Sequence, residues 1–293
     1  MNSSELAAFL RIRRERLSPA DVGLPERRRR RTPGLRREEV AELAAVSVDY
    51  VVRLEQDRGL RPSAEVLDAL ATALQLTNDE RAYLFDLAQQ RPDRRRPSAA
   101  EPDPSLIRLV QDLSPLPCML IDHRFDVLAW NPEVAELMVD FGALPPAQRN
   151  ALWVCLLHPQ LTHYLRDREH SIREGVADLR AAWAARPDDA ALGALIDELR
   201  SDSAEFDRLW ALRDVKVNGR GRKRLLHPEA GPLTVQYEAM APLQDPAQRL
   251  VVYRAADATS QTALDLIAAR AADRRWSVQL DTDGVEASVG PHH

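Results

Sequence analysis

Apolar residues recur at helical spacing through the first ninety residues of the chain. Between residues 4 and 16, one face of a helix would collect Leu6, Phe9, Leu10 and Ile12. Natural helix starts follow at Ser47, Pro62 and Asn78. Together with the spacing, they predict four further helices at 36–45, 48–58, 62–74 and 79–90. The N-terminal region is therefore expected to be all-α and to contain five short helices.

A proline-rich stretch separates this region from the rest of the chain. Residues 91–104 read RPDRRRPSAAEPDP, with four prolines and no hydrophobic period, which is typical of an interdomain linker. We therefore predict a first domain at residues 1–90, a linker at 91–104 and a second domain that begins near Ser105.

The second domain, predicted at residues 105–272, mixes strand and helix patterns. Short apolar runs bounded by turn residues predict strands at 116–121, 125–130, 213–217, 223–227, 233–241 and 249–255. Helical spacing predicts helices at 131–141, 165–185, 188–212 and 260–272. The pattern indicates an α+β domain. The polar residues 273–293 are predicted to be a disordered tail.

Two of the N-terminal helices have the pattern of a helix-turn-helix. Ala41 is small enough for the following helix to cross closely, and the apolar Val46 stands in the turn between them. In this motif, residues at the N-terminal end of the second helix read the DNA major groove. Those residues here are Ser47, Val48, Asp49, Tyr50 and Arg53. Arg53 would suit guanine and Asp49 would suit cytosine, while Val48 and Tyr50 could instead belong to the core.

Charge is distributed unevenly along the chain. Residues 1–96 hold 19 basic and 16 acidic residues, a net of +3, and the remainder holds 21 and 29, a net of −8. A basic module is typical of nucleic-acid binding, and a run of five arginines precedes the helix-turn-helix. The predicted phosphate contacts are Arg27, Arg28, Arg29, Arg30, Arg31, Arg36 and Arg37. The alternative is a solvated loop.

Other classes of protein find little support. No stretch approaches the roughly 20 apolar residues of a membrane span, and the N-terminus lacks the apolar core of a signal peptide. Cys118 and Cys155 are too few for a disulfide framework, which favours a cytoplasmic protein. Cys155, His158 and His163 do not have the spacing of a zinc site, so neither a metal nor a cofactor is predicted. Recognisable catalytic motifs are lacking, so the chain is not expected to be an enzyme.

The segments that carry these patterns resemble known families. The sequence EEVAELAAVSVDYVVRLEQ resembles the helix-turn-helix of the XRE, or phage-repressor-like, family. Together with FDVLAWNPEVAELMVDFGALPPAQRN, EFDRLWALRDV, GRKRLLHPEAGPLTVQYEAM and DPAQRLVVYRA, it resembles the MmyB-like transcription regulators from about residue 5 to 270. The resemblance implies a two-domain chain: an all-α five-helix XRE-type helix-turn-helix domain followed by an α+β PAS-like ligand-binding domain. It further implies that a fatty acid or similar acyl molecule can occupy the second domain.

A pocket for such a molecule needs apolar walls and a few convergent polar groups. Large amphipathic side chains stand at the ends of the apolar runs, with polar groups beside them. The candidate ligand-binding residues are Trp130, Asn131, Trp153, Trp210, Arg213, His227, Tyr237 and Tyr253. An acyl carboxylate would favour Arg213 or a basic residue of the GRKR segment. The alternative is that the aromatic side chains simply form the core.

The predicted function is a cytoplasmic transcription regulator that binds double-stranded operator DNA. We expect a homodimer, because one helix-turn-helix reads only a half-site. Its second domain is expected to sense a hydrophobic small molecule, with a fatty acid as the bound ligand and no membrane partner. The alternative is a ligand-free repressor whose second domain only dimerises or binds a partner protein.

Overall fold

The computed structural model describes residues 3–25, 34–88 and 102–286, with the backbone alone described from residue 275 onward. Its internal contacts divide the chain into two compact units. The first unit consists of residues 1–95, 176–200 and 207–217, and the second consists of 96–175, 201–206 and 218–293. The first unit therefore includes two segments that were predicted to belong to the second domain.

Five helices occupy the described residues between 3 and 88, which confirms the all-α prediction for this region. They are α1 (Ser3–Arg16), α2 (Arg37–Leu43), α3 (Val48–Glu55), α4 (Ala64–Ala73) and α5 (Asn78–Leu87). Side-chain oxygens of Ser47, Ser63 and Thr77 accept the first free backbone N–H groups of α3, α4 and α5. The caps of α4 and α5 thus lie next to the predicted starts, Pro62 and Asn78.

The core of the first unit draws apolar side chains from all five helices. On α1, Leu6, Phe9 and Leu10 are buried as the spacing predicts. Ile12 is only half-buried, and Arg13 and Arg14 are buried in its place. Helix α1 therefore presents two guanidinium groups where the apolar stripe would continue.

The later part of the first unit is helical and then extended. It draws on α10 (Arg168–Ala185), α11 (Ala190–Asp202) and α12 (Ala204–Ala211), with a break at Ser203 inside the helix predicted at 188–212. The strand predicted at 213–217 is wrong. Its backbone bonds to other elements instead, since Val217 N–H donates to an Asp79 carboxylate oxygen at 3.0 Å. Val215, the apolar centre of that run, is buried in the core of the first unit.

A five-stranded antiparallel sheet forms the centre of the second unit. The strands are β1 (Cys118–Ile121), β2 (Val127–Trp130), β3 (Arg220–His227), β4 (Gly231–Met240) and β5 (Arg249–Ala255). Their order across the sheet is β2-β1-β5-β4-β3. Strand β3 begins at Arg220, three residues earlier than the predicted 223–227.

Helices flank this sheet on both faces. Alternate residues of β1 and β5 point to opposite faces, so Leu120 and Val252 pack with α6 (Pro104–Asp112) while Met119 and Val251 face the other cluster. That second cluster includes residues of α7 (Pro132–Leu137), α8 (Ala151–Leu157), α9 (Pro159–Tyr164) and α13 (Ala258–Glu286). The α+β prediction is confirmed for this unit.

The C-terminal helix is longer than its hydrophobic pattern indicates. A helix was predicted at 260–272, with a disordered tail from 273, but α13 continues to Glu286. Its first half is held by apolar contacts of Leu264 and Ile267 in the second cluster, and Arg270 and Arg274 add ion pairs with the buried carboxylate of Glu136, both at 2.6 Å. None of the described helices is long and apolar enough to cross a membrane.

Candidate DNA-binding surface and ligand-binding residues

The turn between α2 and α3 has the geometry of a helix-turn-helix. Ala45 adopts a left-handed backbone conformation with φ of 52°, which a residue with a Cβ rarely adopts. Val46 then donates its N–H to the Ala41 carbonyl at 3.0 Å and packs against the core. Ser47 ends the turn, and its hydroxyl accepts the Tyr50 N–H at 3.1 Å. The residues predicted to build the turn therefore do so, including the buried Ala41.

The N-terminal end of α3 is accessible. Ser47, Val48, Asp49 and Arg53 are exposed, and Val48 remains 40% exposed despite its apolar side chain. Tyr50 is half-buried against the core, and burial raises its pKa above the ordinary value. Four of the five residues predicted to reach DNA bases are thus free to do so, while Tyr50 also belongs to the core.

A buried carboxylate fixes the other end of α3. The Glu55 side chain is only 2% exposed and accepts from Arg14 Nε at 2.6 Å and from Arg37 Nε at 2.8 Å. Arg11 Nη2 also donates to the Glu55 backbone carbonyl at 3.0 Å. Glu55 therefore ties the recognition helix to α1 and to the start of α2. Glu55 lies within the segment that resembles the XRE family, but the arginines that hold it were not predicted.

Of the seven arginines predicted to contact phosphates, only Arg36 and Arg37 lie within the described residues. Arg27 to Arg31 lie outside the described residues, so their contacts stay a prediction. Arg36 is exposed at the start of α2, where its N–H donates to the Glu39 carboxylate at 2.7 Å. Arg37 is 39% exposed and already paired with Glu55, so only part of its guanidinium faces solvent.

The chain that leaves the arginine run is anchored to α1. Leu35 donates its N–H to the Arg14 carbonyl at 3.1 Å, and Arg14 Nη1 donates to the Leu35 carbonyl at 2.8 Å. A Cβ on Gly34 would lie 2.6 Å from the Glu15 backbone, so only glycine fits this approach. Gly34 and Leu35, which follow the run in the sequence, are thereby held against α1.

Six of the eight candidate ligand-binding residues lie in the second unit. Asn131 is fully buried, and its side-chain oxygen accepts from Cys118 N at 3.0 Å and Val134 N at 3.1 Å. His227 is buried too; its Nδ1 accepts two backbone N–H groups and its Nε2 donates to the Glu136 carbonyl at 2.9 Å. Both side chains already have structural partners, which explains their burial.

The four aromatic candidates of this unit share one hydrophobic cluster. Tyr253 is buried at its centre, and Trp130, Trp153 and Tyr237 are partly buried around it. Burial raises the pKa of the Tyr253 hydroxyl far above its ordinary value. The Tyr237 ring lies 6.2 Å from that of Tyr253, over the space where Gly221 would carry a Cβ. Lys223 Nζ stands 5.9 Å from the Tyr237 ring and supplies a positive charge beside the cluster.

The remaining two candidates, Trp210 and Arg213, lie in the first unit. The Arg180 guanidinium stacks 3.9 Å above the Trp210 ring. Arg213 pairs with Glu5 at 3.1 Å. The structure therefore does not group them with the other six, because the chain re-enters the first unit at residue 207.

The buried arginines Arg13, Arg14 and Arg180 were missed at the level of sequence. Each occupies a position in phase with the apolar residues of its helix: Arg14 follows Leu10 by four residues, and Arg180 follows Val176 by four. A charged residue in such a position needs a buried partner. The position of these arginines on the apolar face of their helices was therefore the available sequence signal, although it does not identify the buried partner.

Among the described residues, no group of three or more His, Cys, Asp or Glu side chains is placed to hold a metal ion. Both cysteines are free thiols. Burial raises the pKa of Cys118 to about 12, so this thiol is poorly suited to act as a nucleophile.

Comparison with protein families finds a match for each of the two regions of the chain. The model of the MmyB-like transcription regulator ligand binding domain matches residues 102–267. A helix-turn-helix domain model matches residues 5–84. A search of curated proteins finds no match.

Proposed function

The chain belongs to the MmyB-like transcription regulators, and on that basis we propose that it is a cytoplasmic homodimer that binds operator DNA through α3 and senses a fatty acid. The two family matches already identify it as a DNA-binding transcription regulator with a ligand-binding domain. The observation that carries the DNA-binding part is the exposed N-terminal end of α3, which Ser47 caps, while Glu55 anchors the opposite end of the helix.

The chemistry of the exposed face of α3 fits a major groove. A guanidinium such as that of Arg53 can donate two hydrogen bonds to guanine, and the Asp49 carboxylate can accept from cytosine. The exposed Val48 offers an apolar surface suited to a thymine methyl group. Ser47 uses its oxygen as an acceptor for the Tyr50 N–H, but its hydroxyl hydrogen can still be donated to a phosphate.

Arg27 to Arg31 and Arg36 are proposed to bind the DNA backbone around this helix. Guanidinium groups favour phosphates, and contacts of this kind strengthen binding to every sequence. Gly34 and Leu35, which follow the run in the sequence, pack against α1, whose Arg14 holds Glu55 of the recognition helix. The run would therefore bind phosphates close to the bases that α3 reads.

Selection of binding sites from a random duplex library tests both roles. Arg53→Ala should cost roughly 1–3 kcal/mol of discrimination at one base pair and leave non-specific affinity largely unchanged. Replacing Arg28, Arg29 and Arg30 by alanine should instead weaken binding to all sequences and flatten its dependence on salt. Arg81→Ala is the control, because Arg81 is exposed on α5 and pairs with Asp68 at 2.5 Å. If Arg53→Ala selects the same site as the wild type with equal stringency, α3 does not read bases as proposed.

The ligand is proposed to occupy the hydrophobic cluster of the second unit. Trp130, Trp153, Tyr237 and Tyr253 would line it, since they are the aromatic candidates that share this cluster. Asn131 and His227 would shape the wall rather than bind the head group, because their polar atoms already have backbone partners. Lys223, beside Tyr237, is the basic group of the GRKR segment best placed to attract a carboxylate.

Native mass spectrometry of the full chain tests the ligand. The full chain is preferable to a fragment because residues 176–217 lie largely in the first unit. An acyl mass that copurifies, or that binds when palmitate is added and is weakened by Lys223→Met, would support the proposal. An apo mass unchanged by palmitate would favour the alternative, a ligand-free repressor whose second domain dimerises or binds a partner. Light scattering of the same sample measures whether the chain is a dimer.

A further inference from the structure

Residues 176–200 and 207–217 pack into the core of the helix-turn-helix unit. Ala184 and Val215 are buried in the same cluster as Leu6, Phe9 and Tyr83. Ala181 and Trp183 pack against its edge. The family match assigns these residues to the ligand-binding region, so the first unit is built from parts of both matched regions.

Arg180 is the centre of this packing. Its side chain is 1% exposed, and Nη1 pairs with Glu5 Oε1 at 2.5 Å. The guanidinium stacks on the ring of Trp210 at 3.9 Å and also donates to the Trp210 carbonyl. Tyr83 donates its hydroxyl to the same Glu5 oxygen at 3.0 Å. A buried cation and anion from distant parts of the sequence thus neutralise each other, and removing either one would strongly destabilise the unit.

Further bonds join α1 to the extended residues 212–217. Arg13 Nη2 donates to the Arg213 carbonyl at 2.7 Å, and Arg16 Nη2 donates to the Leu212 carbonyl at 2.6 Å. Arg213 itself adopts φ of 53° and returns its guanidinium to Glu5. Three residues of α1 therefore bind this segment through polar groups.

The same helix holds the recognition helix. Arg11 and Arg14 of α1 bind the backbone and the carboxylate of Glu55, at the C-terminal end of α3. Helix α1 is consequently bonded at one set of positions to α3 and at another set to residues 176–217. A change in how that segment packs would act on α1 first, and through Glu55 on the helix proposed to read DNA.

We propose that residues 176–200 and 207–217 are a control element of the DNA-binding unit, with Arg180 as the positioning residue that couples them through α1 to α3. The chain passes between the two units within α10, α11 and α12, so these helices covalently join the control element to the ligand-binding region. The effect on DNA affinity that this inference predicts rests on the proposed function, whereas its predicted effect on hydrogen exchange does not.

Hydrogen exchange of the full chain, without DNA, tests the coupling. In Arg180→Met, amides of α1, of α3 and of residues 207–217 should exchange faster together, while those of β1 and β5 keep their protection. Arg200→Met is the matched control, because Arg200 lies in the same element but forms an exposed pair with Asp207 at 2.7 Å. Faster exchange confined to 176–217, with α1 and α3 unchanged, would overturn the proposal.

DNA affinity then distinguishes coupling from a merely structural role. Under conditions where circular dichroism shows Arg180→Met folded, affinity for the selected site should fall by about tenfold, roughly 1.4 kcal/mol. The salt dependence should stay that of the wild type, since no phosphate contact is removed.

Arg180→Lys, which keeps the charge opposite Glu5, should recover part of the loss. If Arg180→Met does not fold, Arg16→Met weakens the same junction at its exposed edge. Wild-type affinity in the folded variant tested would refute the coupling, and absence of DNA binding by the wild type would refute only the proposed function.

Discussion

Glu55→Gln tests whether a buried charge holds the recognition helix in place. Glu55 is 2% exposed and its partner Arg14 is 10% exposed, so the pair is screened little by solvent. Burial alone would lower the pKa of Arg14, but the hydrogen bonds and charge of Glu55 and Glu15 more than offset it, and the pKa is raised overall. Arg14 therefore stays charged, and the substitution would leave that charge with only the exposed carboxylate of Glu15, at 3.3 Å, as its counterion.

The size of the effect follows from the two partners of Glu55. Breaking a buried pair by neutralising one side typically costs 3–5 kcal/mol. Glutamine keeps one acceptor oxygen for Arg14, so we expect the lower end, about 3 kcal/mol. The pair with Arg37 adds at most about 1 kcal/mol, because Arg37 is 39% exposed. Arg37→Met is therefore the matched control, and it should cost less than about 1 kcal/mol.

Hydrogen exchange under increasing urea measures both variants. Exchange of α1 and α3 amides reports the opening free energy of the first unit without assuming that the whole chain unfolds in one step. Glu55→Gln should lower that free energy by about 3 kcal/mol and leave β4 and β5 unchanged. A loss below about 1 kcal/mol, or equal losses in the two variants, would show that the buried pair does not stabilise α3 as inferred.

Three further predictions concern backbone strain, capping and thiol chemistry. Ala45→Gly should stabilise the first unit by about 0.5–1 kcal/mol in urea denaturation, since glycine relieves the left-handed φ of 52° at some entropic cost; a destabilisation would contradict this. Asn131→Ala should lower the free energy of unfolding of the second unit by about 2 kcal/mol in the same assay, because the buried N–H groups of Cys118 and Val134 lose their acceptor. Asn131→Asp, which keeps an acceptor oxygen, should lower it less. At pH 8.5 a thiol with a pKa of about 12 is ionised in only about one molecule in 3,000. Iodoacetamide should therefore label the half-buried Cys155 and spare Cys118 until denaturant is added. Equal labelling of both cysteines in the native chain would be inconsistent with the burial of Cys118.

Local patterns predicted the helix-turn-helix well. The spacing of apolar residues and the cap at Ser47 fixed α2 and α3 to within a few residues, because helix starts and turns depend on neighbours in the chain. Ala41 and Val46 also took their predicted places. The accessible residues of α3 could be named for the same reason, since a helix start sets which side chains face outward.

Long-range packing was the part that could not be predicted. The run RDVKV has the alternation of a strand, but Val215 is buried among helices and Val217 bonds to Asp79. The same return of the chain places Trp210 and Arg213 in the first unit. An amphipathic residue has the same appearance in a sequence whether it lines a pocket or closes a distant core, because only the tertiary fold decides its neighbours.

Charged residues in phase with an apolar stripe carry more information than the aromatic ones. Leu6, Leu10 and Arg14 are successive positions on one face of α1, and Val176, Arg180 and Ala184 are successive positions on one face of α10. An arginine in such a position is buried only if an anion meets it, so the phase predicts that an anionic partner exists. The two partners, Glu55 and Glu5, lie 41 and 175 residues away and connect α1 to the recognition helix on one side and to residues 176–217 on the other. The buried charges are therefore where this fold departs from a simple hydrophobic core, and they lie along the route by which we propose that DNA binding is controlled.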